Sequence, residues 1–242
     1  MPASSRGAEG NRMISLLTSR TSAGERTVAV PVGAIELPGT LAWPAHPSGI
    51  VLFAHGSGSS RLSPRNIAVA RQLRSAGLAT LLFDLLTPEE ADERANVFEI
   101  PLLARRLRAA TDWVVTQPEV ARLAPGYFGA STGAAAALVA AAAPGVPVGA
   151  VVSRGGRADL AGDALPAVRA ATLLLVGSRD DVVLELNRQA YRRLNCVKRL
   201  VVISRATHLF EEPGTLEEVG RWAAEWFVEY LAMAPRWQAA RR

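Results

Sequence analysis

Disulfide chemistry is the first thing this sequence excludes. Cys196 is its only cysteine, so no intrachain disulfide can form, and a cytoplasmic setting is expected. At the end of a helix expected over 184–195, the thiol reads as a small buried hydrophobe. Lysine is almost missing too, Lys198 being the only one among 27 basic residues. No glycine-rich loop therefore has the lysine that a phosphate cradle of the Walker type needs. Three scattered histidines, His46, His55 and His208, and one cysteine have no metal-ligand spacing, so neither metal nor other cofactor is expected. Aromatic residues make up only 6% and never interleave a basic run, which argues against nucleic-acid binding despite a net charge of +5. Long apolar runs are lacking as well. Ile14 to Leu17 is too short for a secretory signal. The Ala-rich run after Gly133 is broken by Pro144 and Pro147, so no membrane span is expected.

What remains is a 242-residue chain, 49% hydrophobic, enough for one sizeable core. Residues 1–24, rich in Ser, Gly, Ala and Arg, read as an unstructured extension. Residues 25–233 read as one domain, and 234–242 as a basic tail. Segments 27–30 and 34–43 resemble an antiparallel pair. From Gly49 onward, apolar strands near 50–54, 79–83, 126–130, 148–152, 171–176 and 200–203 alternate with amphipathic helices. The helices are expected over 63–76, 102–115, 184–195 and 216–231. Continuous apolar strands between helices point to an α/β fold: about eight strands, mostly parallel, helices on both faces. The only candidate lids, 85–99 and 154–166, are short, so the cap is minimal and the site open.

Gly129-Ala130-Ser131-Thr132-Gly133 is a G-x-S-x-G sequence between an apolar strand and a helix former. A serine on so tight a strand-to-helix turn exposes its Oγ, and residues two before and two after it must be almost free of side chain. A serine hydroxyl needs a base, and the base an orienting carboxylate. In a parallel sheet those groups lie on loops after strand C-termini, which share one edge. Gly177-Ser178-Arg179-Asp180-Asp181 follows one such strand and offers Asp180, with Asp181 as the alternative. His208, the only histidine after the serine, follows the last strand. An oxyanion hole is expected from the backbone N–H groups of Ser57, in the loop His55-Gly56-Ser57-Gly58, and Thr132. His55 reads as structural, packed behind that loop. Arg61 and Arg154, each following a strand C-terminus, are candidates for binding an acidic group on the substrate.

His55-Gly56-Ser57-Gly58, Gly129-Ala130-Ser131-Thr132-Gly133, Asp180 and His208 together resemble an α/β-hydrolase, and the nearly capless layout is similar to the dienelactone hydrolase-like branch. The likeness covers roughly residues 26–232. Dienelactone hydrolase itself uses a cysteine nucleophile, whereas Ser131 stands here. The resemblance implies a serine carboxylesterase-type hydrolase with a small-molecule ester substrate and no nucleic-acid or membrane partner, acting as a monomer or small homo-oligomer. Thioester or peptide hydrolysis, haloperoxidation, and a binding protein without turnover use the same scaffold.

Overall fold

The structure is a computed structural model that describes residues 22–145 and 148–234. The expected extension, through residue 21, and the basic tail from residue 235 lie outside the described residues, as does Pro147. Eight strands form one sheet: β1 (Gly24–Val32), β2 (Ile35–Trp43), β3 (Ile50–Ala54), β4 (Ala79–Phe83), β5 (Pro125–Ala130), β6 (Ala150–Arg154), β7 (Ala171–Gly177) and β8 (Lys198–Ile203). Their order is β1-β2-β4-β3-β5-β6-β7-β8. β2 pairs antiparallel with both β1 and β4, and every other pairing is parallel. The expected α/β sheet is the observed one.

Among the described residues six α-helices cover it: α1 (Pro64–Ser75), α2 (Pro88–Asp92), α3 (Ile100–Val114), α4 (Thr132–Ala142), α5 (Asp181–Arg193) and α6 (Thr215–Met233). Alternation along the strands sorts the core into two layers. Ile50, Leu52 and Ala54 of β3 join the cluster that α3 and α4 complete, and Val51 and Phe53 join the cluster completed by α1 and α6. Helix α1 starts as its sequence predicts. Ser63 Oγ accepts the Asn66 N–H and Pro64 opens the first turn, a cap worth about 1 kcal/mol. Helix α4 is buried from Thr132 to Leu138. Its alanines let it lie close to the sheet, and its apolar surface on all sides matches its central position.

Several boundaries differ from expectation, each for a local reason. Helix α3 starts two residues early because Pro101 fits its first turn. Helix α5 starts at Asp181, ahead of the apolar face that marks it in sequence. Strand β6 runs on through Arg154, so that arginine belongs to the strand and does not follow it. Both short segments expected as lids are structured. Residues 85–99 hold α2 and a 3-10 turn at Asn96–Phe98, and residues 158–167 form 3-10 turns interrupted at Gly162. No helix among the described residues is long and apolar enough to cross a membrane.

Candidate active site

The turn from β5 into α4 holds Ser131 at φ 50°, ψ −123°, a backbone state that costs a non-glycine residue about 1–3 kcal/mol. Two glycines make the turn possible. A Cβ on Gly129 would lie 2.4 Å from Ala134 Cα, and one on Gly133 would lie 2.1 Å from the Ala54 carbonyl oxygen. Neighbouring backbone fixes the strained residue. Ser131 N–H donates to the Arg154 carbonyl at 3.4 Å, and the Ser131 carbonyl accepts from Ala134 at 3.1 Å and Arg157 at 3.0 Å. The Ser131 side chain does not cap α4, so its hydroxyl is not spent there.

The loops after β7 and β8 bring an acid to a base. His208 Nδ1 lies 2.6 Å from Asp180 Oδ2. Asp180 is the N-cap residue of α5 by position, yet its side chain makes no capping bond. Its carboxylate is therefore free for the imidazole, which fixes Nδ1 as the protonated nitrogen and leaves Nε2 as the basic one. Asp181 is exposed in the first turn of α5. Of the two aspartates, the structure brings Asp180 to His208.

The two loops are joined by backbone. Ser178 N–H donates to Ile203 and Arg179 N–H to Ala206. Glu212 accepts the Thr207 N–H with both carboxylate oxygens, at 3.2 and 3.1 Å. These bonds hold its pKa below the ordinary value. The residues 154–157 lie between the serine and the histidine. They bond both sides of the Ser131 peptide, and a Cβ on Gly155 would meet the His208 carbonyl at 3.0 Å and its Cε1 at 3.6 Å. Neither Glu212 nor this turn was legible as a site element. Contacts through backbone groups leave no residue-type signature.

On the other side of Ser131, His55 ties the 55–60 loop to the end of β4. Its Nε2 accepts the Leu85 N–H at 3.0 Å, so Nδ1 carries the proton and donates to the Gly56 carbonyl at 3.1 Å. Burial pushes its pKa below 6.5, which keeps the ring neutral. Ser57 and Thr132 lie together, as expected, but the Ser57 N–H donates to Thr132 Oγ1 at 3.1 Å. That donor is occupied by the protein's own hydroxyl.

Of the two arginines expected to meet a substrate acid, Arg61 is paired within the protein and Arg154 is buried. Arg61 gives its backbone N–H and its guanidinium to the two oxygens of Asp84. Arg154 is only 7% exposed, with its guanidinium 5.9 Å from the Phe210 ring centroid and its Nε without a partner. Burial, with Arg65 as a second positive charge nearby, pushes its pKa down to about 10, so it stays charged at neutral pH. His46 lies in the loop between β2 and β3 and is not part of this edge. No group of three or more His, Cys, Asp or Glu side chains among the described residues is arranged to hold a metal ion. A cavity of about 280 Å³ opens beside Ser57 and Thr132, between the 55–60 loop and the 84–103 segment.

No protein-family model matches the chain. Among solved structures it is similar to a dienelactone hydrolase from Anabaena variabilis, at 56% identity and a TM-score of 0.84, covering 87% of this chain and 99% of that one. It shares its fold with Est1E from Butyrivibrio proteoclasticus (17% identity, TM-score 0.71, 85% and 99% covered). The same holds for a dienelactone hydrolase-like promiscuous phosphotriesterase from metagenomic libraries (20%, 0.71, 86% and 99%). Among curated proteins, two Mycobacterium tuberculosis sequences are 60% identical over 207 residues and carry the provisional name phosphoribosyl transferase. The match covers 86% of this chain but 47% of theirs, so the chain spans about half the length of those relatives.

Proposed function

The chain belongs to the dienelactone hydrolase-like α/β-hydrolases, and we propose that it is a serine hydrolase that cleaves carboxylic esters through an acyl-enzyme. The observation that carries this reading is the 2.6 Å contact of Asp180 with His208, beside a 154–157 turn that approaches His208 closely and is hydrogen-bonded to the strained Ser131. His208 Nε2 takes the Ser131 proton as Oγ attacks the ester carbonyl. The carbonyl π electrons move to the oxygen, and the N–H groups of Thr132 and Ser57 receive it as an oxyanion. Each such donor is worth roughly 3–4 kcal/mol in the transition state. The oxyanion collapses, the C–O bond to the alcohol breaks, and His208 returns its proton to the leaving oxygen. Water then repeats the sequence and releases the acid. Asp180 holds the imidazole in the right tautomer and stabilises its charged form.

The transferase name of the mycobacterial relatives belongs to proteins about twice as long as the match. We propose that it describes their remaining half. Here the Gly56/Gly58 loop does not continue as a phosphate-binding fingerprint, and Lys198 sits on β8, at the far edge of the sheet from the β3 loop. The test is a chromogenic ester panel run on wild type and Ser131→Ala, beside a phosphoribosyl-transfer assay. Ester turnover that vanishes in the variant, with no transfer, supports the reading. Ester turnover that survives in Ser131→Ala refutes it.

A further inference from the structure

The reading above leaves open which ester is cleaved, and the sheet order gives an answer that rests on it. His208 and Asp180 follow β8 and β7, to one side of Ser131. The leaving oxygen must face His208 to be protonated. With its carbonyl oxygen at Ser57 and Thr132, a bound ester then has its acyl substituent directed to the opposite side, over the ends of β3 and β4. The 280 Å³ cavity lies there, with Ser57 and Thr132 in its lining.

Its other walls are mostly hydrocarbon: Leu85, Leu86, Pro88, Ala91, Val97 and Leu103. The segment that carries them is fixed in place. Thr87 and Glu90 form a reciprocal cap at the start of α2. Glu90 also pairs with Arg106 of α3, and its carbonyl accepts from the Asn96 side chain. The one carboxylate in the lining, Asp84, is matched by Arg61, so no free cation there awaits a substrate acid. Ligand pockets span about 300–1,000 Å³, so this one is small. At about 30 Å³ for a carbon-sized unit, comparable to one water molecule in the liquid, it accommodates a chain of up to about nine carbons.

We propose that this cavity is an acyl pocket selecting neutral, apolar acyl groups of medium length, and that the alcohol side, above β6 to β8, selects little. The His208 side chain on that side is 39% exposed, which fits an open leaving-group side.

The experiment is kcat/KM for 4-nitrophenyl esters from acetate to dodecanoate, with 4-nitrophenyl hemisuccinate as the anionic match to butyrate. Wild type, Ala91→Trp and Val97→Trp are compared. Each added methylene up to about hexanoate is expected to raise wild-type kcat/KM by up to about fourfold, with a fall by dodecanoate. Hemisuccinate should run at least tenfold below butyrate. Ala91 is exposed, so its replacement leaves the core alone. Either tryptophan should lower the hexanoate-to-acetate ratio at least tenfold. Methyl, butyl and octyl hexanoate should differ by no more than about threefold. A wild-type optimum at acetate, or a ratio unmoved by both tryptophans while Ser131-dependent turnover persists, overturns the acyl pocket alone. Absence of turnover on every ester, or turnover that survives Ser131→Ala, overturns the serine-esterase reading and the pocket with it.

Discussion

Asp180 Oδ2 lies 2.6 Å from His208 Nδ1, while Asp181, the next residue, opens α5 and faces solvent. Two adjacent aspartates of one strand-end loop thus have separate work. Asp180→Asn keeps the shape but favours the wrong imidazole tautomer, and its kcat is expected to fall by about 10³–10⁴. Asp181→Asn removes only a negative charge near a helix N-terminus, worth about 0.3–1 kcal/mol of stability. Its kcat should stay within twofold. Steady-state kinetics on the two variants checks the assignment.

The elbow glycines are steric requirements. With 2.1 Å between a Gly133 Cβ and the Ala54 carbonyl, Gly133→Ala must push α4 away from β3. A loss of about 1–3 kcal/mol, as for other overpacked cores, is expected, together with loss of activity as Ser131 shifts. Gly58, with open space around it but a positive φ, makes a useful contrast. Gly58→Ala should cost only backbone strain of about 1 kcal/mol. Urea unfolding midpoints measure both.

His55 gives the fold a pH dependence. Burial lowers its folded-state pKa, while the unfolded value stays near 6.5. Between those two values the unfolded chain holds more protons, so stability rises with pH there and is lost as pH falls below 6.5. His55→Gln should flatten this part of the stability curve. The glutamine amide oxygen can still accept the Leu85 N–H, so the 55–60 loop keeps its tie to the end of β4. Thermal unfolding between pH 5 and 8, on both proteins, reads the difference.

Much of the fold was legible because its strands are continuous apolar runs. β3, β4 and β7 carry no polar interruption that would read as a turn, and amphipathic helices α3 and α5 lie beyond β4 and β7 in the sequence. Ser131, Asp180 and His208 could be read from their place after strands and their order in the chain. The surroundings of Arg61 and Arg154 were not legible. Arginine in sequence does not reveal its partner, and Asp84, which holds Arg61, comes 23 residues later on the next strand's end. Arg154 reads as a loop residue because a charge rarely ends a buried strand. Its Cβ faces the α1/α6 layer and its guanidinium lies near Phe210.

Arg154 therefore carries a buried charge without a carboxylate. Arg154→Met, of similar shape, should be neutral to stabilising by about 1–2 kcal/mol. It should leave the ratio of hemisuccinate to butyrate turnover within twofold of wild type. A selective loss on the anionic ester would return Arg154 to a substrate-binding role.

Ser131 Oγ is the atom that the proposed mechanism acylates. Incubation with an organophosphonate ester probe, then intact mass and peptide mapping, tests this most directly. One adduct per chain is expected, on the peptide bearing Ser131, absent from Ser131→Ala and strongly slowed in His208→Gln. An adduct on another residue, or none on a protein that still turns over esters, would contradict it.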